Sequence, residues 1–382
     1  MKGLTGAERR TYRALQRHLD RQAVGFPRTL SGVELMFLKR MFTPEEAEFA
    51  LCMSYRPSSI PDMLEGSEGA WTAGEASSIL ENLLMKGSIG FRNENGREEW
   101  FLLPMVVGMY EAQDGRPTPG FLRDAFAYMR KFRYGRSLLA VKPSQMRTIP
   151  INASVPVEHH VATYDQVAVI MDEAEGPFVV LPCICRETSA MRGKSCTMTA
   201  REETCLAMGS MAENVLRRGH GREIDREEAL RILQMNQEEG LVLQPSNAMD
   251  PDFICSCCGC CCGMLGLQKM LPRPVDFWTR SFTAVVEEAG CTGCGICVKR
   301  CQVNAVSLKG PGGTAVVDEA RCIGCGLCVP KCPAEAISLV PAEGDNTPPA
   351  DNVDLYDRIR DNRKGRLAEM AELAKVFLRM RR

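Results

Sequence analysis

Two segments near the end of the chain repeat one another, and they limit the fold more than any other feature. Residues 283–308 read TAVVEEAGCTGCGICVKRCQVNAVSL and residues 314–339 read TAVVDEARCIGCGLCVPKCPAEAISL. More than half of the aligned positions are identical, which marks a duplicated module. Each copy predicts a short β segment (TAVV), a glycine-punctuated cysteine loop, a brief helical turn and a second apolar strand, with Pro311-Gly312-Gly313 as the turn between copies. The cysteines of each copy follow C-x2-C-x2-C-x3-C: Cys291, Cys294, Cys297 and Cys301, then Cys322, Cys325, Cys328 and Cys332, the last followed by Pro333. A cubane iron–sulfur cluster needs four thiolates converging from different directions, and three on one tight loop plus one from elsewhere supply them. Gly293, Gly295, Gly324 and Gly326 let the loops wrap closely and turn amide N–H groups toward cluster sulfurs. Four-cysteine zinc sites also use C-x2-C pairs, but two such motifs in tandem favour two [4Fe-4S] clusters.

Over residues 281–340 these motifs resemble the bacterial two-cluster ferredoxins. The resemblance implies that the fourth cysteine of each motif serves the other cluster. Cluster one then takes Cys291, Cys294, Cys297 and Cys332, and cluster two takes Cys322, Cys325, Cys328 and Cys301. Gln302 stands where that family usually has proline, a departure that bears on local backbone geometry or cluster potential.

The chain has 382 residues, a formal net charge of −1 and 19 cysteines. Its balanced charge gives no general attraction to nucleic acid. The polar start MKGLTGAERRTYRALQRHLDR has no apolar signal-peptide core, and the longest apolar run, residues 101–110, is broken by Pro104 and Gly108. A cytoplasmic protein without a membrane span is expected, and in a reducing cytosol clustered cysteines read as metal ligands before disulfides.

The fold class expected is α+β multidomain: a winged-helix-like N-terminal domain (1–120), an α+β cysteine-rich middle domain (121–275), a dicluster ferredoxin-like domain (276–342), and a linker with a C-terminal amphipathic helix (343–382). Thr43-Pro44-Glu45 opens a helix, further helices are predicted over 58–65 and 72–86, and Asn95-Gly96 turns a hairpin between Ile89, Phe91 and Trp100, Leu102. That helix–helix–helix–hairpin order suggests a winged helix between Leu30 and about Tyr110. In the middle, residues 178–181 predict a strand, and Asp225 caps a helix that Gly240 stops. Residues 341–352 read as a linker, after which Leu367, Met370, Ala374, Phe377 and Leu378 share one helical face.

Cys183, Cys185, Cys196 and Cys205 (C-x-C-x10-C-x8-C) offer four thiolates, enough for a third iron–sulfur cluster, with zinc or redox thiols as alternatives. Arg186, Arg192 and Lys194 could offset cluster charge there. Six more cysteines crowd eight positions: Cys255, Cys257, Cys258, Cys260, Cys261 and Cys262. Adjacent side chains cannot all converge on one metal, so some are expected to serve a cluster and others to face a neighbouring site, either an additional cluster or a thiol site. The C-C-G triplets at Cys257 and Cys261 resemble cysteine-rich domains of heterodisulfide-reductase-type proteins, but the longer spacing of that motif is absent and no ligand assignment carries over. Taken whole, the chain is similar to anaerobic bacterial 4Fe-4S ferredoxin-type proteins, on Phe101-Leu102-Leu103-Pro104, residues 182–186, residues 255–263 and the repeat.

The function expected is iron–sulfur electron transfer, as a carrier or as the electron-input subunit of an anaerobic oxidoreductase. A redox partner protein or larger oxidoreductase complex would be the partner. A reductase with its active site at the middle cysteines is one alternative, and a redox-sensing winged-helix regulator another. DNA binding is disfavoured: the helix over 72–86 carries Glu75 and Glu81 against Lys86, and Arg97 is followed by Glu98 and Glu99. His159-His160 reads as a surface pair, Cys52 and the methionines as core filling. Neither a G-x-G-x-x-G after a strand nor a G-x4-G-K-[ST] is present.

Overall fold

The computed structural model describes residues 3–65, 69–94, 96–151, 165–344 and 346–363. The His159-His160 pair and the helical face of Leu367, Met370, Ala374, Phe377 and Leu378 lie outside the described residues.

Five helices, α1 (Gly6–Leu19), α2 (Val33–Met41), α3 (Pro44–Phe49), α4 (Ile60–Glu65) and α5 (Ala73–Met85), lead into an antiparallel hairpin of β1 (Ile89–Glu94) and β2 (Arg97–Leu102), followed by α6 (Pro119–Met129) and α7 (Phe132–Leu139). Thr5, Thr43 and Thr72 each close a reciprocal capping box with Glu8, Glu46 and Glu75, satisfying amides that the first helical turn leaves without partners. In the hairpin Phe91 pairs with Trp100. In such a pair the outward backbone groups must find other partners. Trp100 finds Ser58, at 2.9 and 3.1 Å. Phe91 finds Asn214, whose Oδ1 accepts its amide at 2.8 Å and whose Nδ2 donates to its carbonyl. Phe121, Leu122, Ala125, Tyr128 and Tyr134 share one apolar core with Leu15, Phe37 and Leu83. The N-terminal unit therefore continues beyond residue 120, because α6 and α7 bury their apolar faces on it.

The middle region contributes β3 (Arg147–Thr148), α8 (Val167–Glu173), β4 (Phe178–Pro182), α9 (Ile184–Met191), β5 (Glu203–Met208), α10 (Gly209–Arg217), β6 (Arg222–Ile224), α11 (Arg226–Glu239), β7 (Val242–Pro245), β8 (Phe253–Cys257) and α12 (Gly263–Met270). Five of these strands form an antiparallel sheet in the order β6-β4-β5-β8-β7. Side chains alternate between its faces. Phe178, Val180, Leu206 and Ile254 pack with α8 and α11, while Val179 and Ala207 pack with α10 on the opposite face. Helix α11 starts at Asp225, which accepts the Glu228 amide, and ends at Gly240 in the left-handed conformation, as its sequence predicts. The salt bridge between fully buried Arg147 and Asp165, 3.0 Å, fixes β3, and Arg147 also donates to the carbonyls of Ser246 and Ala248.

The last part comprises β9 (Thr279–Arg280), parallel to β3, then β10 (Phe282–Val286), α13 (Ile296–Arg300), β11 (Val306–Leu308), β12 (Ala315–Val317), β13 (Ile337–Pro341) and α14 (Asn352–Asp361). The repeats interleave. The first strand of one copy, β10, pairs with the last strand of the other, β13, and the inner strands β11 and β12 pair with each other. Helix α14 returns to the N-terminal unit, burying Leu355 and Ile359 beside Ala23 and Val141, with Asp357 bound by Arg56 at 2.9 Å. No helix among the described residues is long and apolar enough to cross a membrane.

Candidate metal centres

Strand interleaving carries each repeat's fourth cysteine to the other repeat's loop. A pocket of about 300 Å³, open mouth included, is lined by Cys291, Cys294, Cys297 and Cys332. Cys301 instead lies within electrostatic reach of Cys322, Cys325 and Cys328. Backbone amides point at the sulfurs: Ala305 to Cys301 at 3.1 Å, Ala315 to Cys291 at 3.3 Å and Ala284 to Cys322 at 3.4 Å. Amides of Ala315 and Gly293 draw the Cys291 thiol below its ordinary value, whereas burial pushes Cys322, Cys325 and Cys328 up. Four thiols per site with amide donors at the sulfurs fit the donor set of a [4Fe-4S] cluster, which stores and releases one electron at a time.

The ten middle cysteines divide differently from their order in the chain. Strand periodicity puts Cys255 and Cys257 of β8 on one face, while Ser256 points to the other and accepts from Asn236 of α11 at 2.7 Å. The β5–β8 register pairs Leu206 with Ile254, which sets Cys205 opposite Cys255. Cys183 follows the last residue of β4 and caps α9, Cys185 lies in the first turn of α9, and Cys262 caps α12. The result is a closed circuit of six thiols, Cys183–Cys185–Cys262–Cys257–Cys255–Cys205, each interacting with the next. Thiols of Cys205 and Cys257 draw Cys255 down to about 6 against its burial. Cys262, flanked by Cys185 and Cys257 and facing the first amides of α12, falls well below the ordinary thiol value.

Cys196 is not in that circuit. It sits on the loop between α9 and β5 and meets Cys258, Cys260 and Cys261 on the β8–α12 turn; the four sulfurs all lie within 4.8 Å of one another. The expected grouping of Cys196 with Cys183, Cys185 and Cys205 is thereby corrected: α9 leads the chain away from Cys183 and Cys185 before Cys196 is reached. Arg186 is buried within electrostatic reach of both groups. It donates to the Ser256 carbonyl (3.2 and 3.3 Å) and to the Thr204 hydroxyl. Although burial opposes its charge, thiols of Cys183, Cys205, Cys258 and Cys196 hold the guanidinium protonated. Arg192 turns away instead, stacking on Phe126 of α6 at 4.3 Å, and Lys194 is exposed.

The six-thiol circuit borders a largely apolar cavity of about 1270 Å³, open mouth included, between the hairpin, α10 and the sheet. Ile89, Phe91, Phe101 and Met211 line it, with Glu111, whose Oε2 accepts the Gly108 amide at 2.8 Å and whose carboxyl burial pushes up to about 7. Phe101, Leu103, Val107 and Asp252 also line an outer cleft rimmed by Glu94, Glu173, Glu175, Asp250 and Asp351. Sequence reasoning missed Glu111, Asp252 and the cavity, because their residues come from distant segments with no shared motif. It also missed Gly259 as a contact point, although a glycine inside a cysteine block is itself a sign of close approach.

The ferredoxin-like part is clamped onto this region. Ile151 donates to the Cys325 carbonyl at 3.1 Å, and Arg300 donates to the carbonyls of Gln237 and Glu238 at the end of α11. Buried Gln302 accepts the Gly259 amide at 2.8 Å; a Cβ at Gly259 would stand 2.3 Å from the Gln302 carbonyl oxygen. One apolar cluster contains Cys257, Cys262 and Leu265 together with Cys297, Cys322 and Cys328.

The family model described as "4Fe-4S dicluster domain" matches residues 280–340. Neither a curated protein nor a solved structure matches the chain. Both the matched segment and the cysteine groups suggest iron–sulfur electron transfer.

Proposed function

We propose that the chain is an electron carrier, or the electron-input subunit of an oxidoreductase, in which two [4Fe-4S] clusters exchange electrons with a further polynuclear iron–sulfur centre held by Cys183, Cys185, Cys205, Cys255, Cys257 and Cys262. The supporting observation is the single apolar cluster that joins Cys257 and Cys262 to Cys297, Cys322 and Cys328. Contiguous packing keeps the centres in fixed relation and dry, as short-range electron transfer requires. Six thiols exceed what a single ion takes, and their circuit encloses a perimeter suited to several irons. Thiols kept free of disulfides belong in a reducing compartment such as the cytosol. The experiment is iron and sulfide analysis of anaerobically purified protein. About twelve irons are expected, falling to about eight in Cys257→Ser with the signals of the ferredoxin-type clusters retained. About eight irons in the unaltered protein would confine electron chemistry to the C-terminal part.

The cavity favours a second reading, in which the six-thiol centre reduces a small, largely apolar molecule with electrons from the ferredoxin-type clusters. A spectrum of the middle centre that changes on adding a candidate substrate distinguishes this enzyme from a carrier. We read the N-terminal helices and hairpin as winged-helix-like. Since Arg217 of α10 binds both Glu81 of α5 and Glu98 of the hairpin, we read this unit as a module that docks onto the middle region rather than onto DNA.

A further inference from the structure

We propose that Cys196, Cys258, Cys260 and Cys261 bind one tetrahedral metal ion, zinc, at a site separate from the six-thiol centre. The spacing carries the argument. Cys196 Sγ lies 3.6 Å from Cys258 Sγ and 3.7 Å from Cys260 Sγ, and Cys260 and Cys261 sulfurs are 3.7 Å apart. Zinc–sulfur bonds of about 2.3 Å give a tetrahedron with edges of about 3.8 Å. A cubane instead holds each thiolate outside a different iron corner, spreading the sulfurs well beyond this separation. The same distances are too long for disulfides, whose sulfurs bond at about 2.05 Å. Four thiolates and no open position make a closed site, the type in which zinc acts as a structural ion without redox chemistry.

The surroundings suit a structural pin. The site joins two loops that have no backbone ladder between them, the one after α9 and the turn between β8 and α12. Cys258 and Cys261 directly neighbour Cys257 and Cys262, so fixing the turn also fixes two thiols of the other centre. Gly259, inside the turn, receives Lys269 on its carbonyl at 2.8 Å and presents its amide to Gln302, one residue beyond Cys301. Buried Arg186 supplies positive charge toward two of the four sulfurs, those of Cys196 and Cys258. The amide of Met198 points at Cys196 Sγ at 3.5 Å, a second-sphere donor of the kind that orients metal ligands.

The test is metal analysis and zinc-edge X-ray absorption on unaltered, anaerobically purified protein. One zinc per chain is expected, with four sulfur neighbours at about 2.3 Å and no metal–metal shell. Exposed Cys260 allows a mild variant: Cys260→Ala should lose the zinc while keeping its iron content and ferredoxin-type signals. Absence of zinc from the unaltered protein overturns the proposal, as does a Cys260→Ala variant that loses iron, whether one atom or about four, in place of zinc.

Discussion

At the scale of single residues, burial at the cavity mouth decides what several carboxyls do. Asp252 lines both the cavity and the outer cleft, and burial pushes its carboxyl up from 3.8 to about 6, although Ser246 and Asn352 pull it the other way. A group whose folded value is raised contributes stability that is complete below its unfolded value and disappears as pH rises through the folded one. Here the window runs from about pH 4 to above 6, and at about 1.4 kcal/mol per unit the loss at neutral pH is at most about 3 kcal/mol. Asp252→Asn should therefore raise the melting temperature more at pH 7.5 than at pH 5. Equal shifts at the two pH values would show that Asp252 carries no such penalty. Arg147 and Asp165 show the contrasting case, a fully buried pair whose guanidinium finds further acceptors in two backbone carbonyls. Such a pair is costly to break from one side, because the remaining charge has nowhere to go.

At the scale of elements, the hairpin is held by what meets its edges. A two-stranded ribbon alone is marginal in water. This one is flanked by Ser58 on the β2 side and by Asn214 of α10 on the β1 side. Arg217, one turn further along α10, stacks over Phe91 and Trp100 at 4.7 and 5.2 Å and ties Glu81 to Glu98. Replacing Asn214 with leucine keeps the side chain's bulk but leaves the buried Phe91 amide and carbonyl without partners, which should cost about 2–3 kcal/mol. Thermal unfolding measures the loss, and hydrogen exchange should place it in residues 89–102. The hairpin and the helices opening at Thr43, Thr72 and Asp225 were legible in the sequence, because turn and helix-start residues act within a few positions. The extent of the N-terminal unit was not: Phe121 and Tyr128 pack on Phe37 and Phe26, some ninety residues earlier, and no local signal joins segments that far apart.

At the scale of the whole molecule, the ferredoxin-like part is docked by residues that depart from, or add to, the bare cluster motif. Gln302 occupies the position where the resembled family usually carries proline, and here its side chain is the acceptor for Gly259. Gln302→Pro should weaken the junction by about 1 kcal/mol, the size of one exchanged hydrogen bond. Faster proteolysis in the 257–262 segment, with the iron content of the ferredoxin-type clusters unchanged, is the expected result. A variant with unaltered protease sensitivity would mean that Arg300 and Arg321, which donate to carbonyls of α11 and of Lys269 and Leu271, hold the parts together without it.

By itself the sequence determined the repeat, its eight cysteines and the conformations of its loops, since ligand spacing on a tight glycine turn is a local property. It also determined that the adjacent cysteines of residues 255–262 cannot all converge on one metal, since neighbouring side chains diverge. Only the tertiary structure decided how the ten middle cysteines divide. Cys257 and Cys258 are adjacent in the chain yet belong to different groups, while Cys196 joins Cys260 from the far side of a helix. A metal site selects sulfurs by their convergence in space, and that convergence follows from the pairing of β4, β5 and β8 and the directions of α9 and α12, which are set by packing between distant segments.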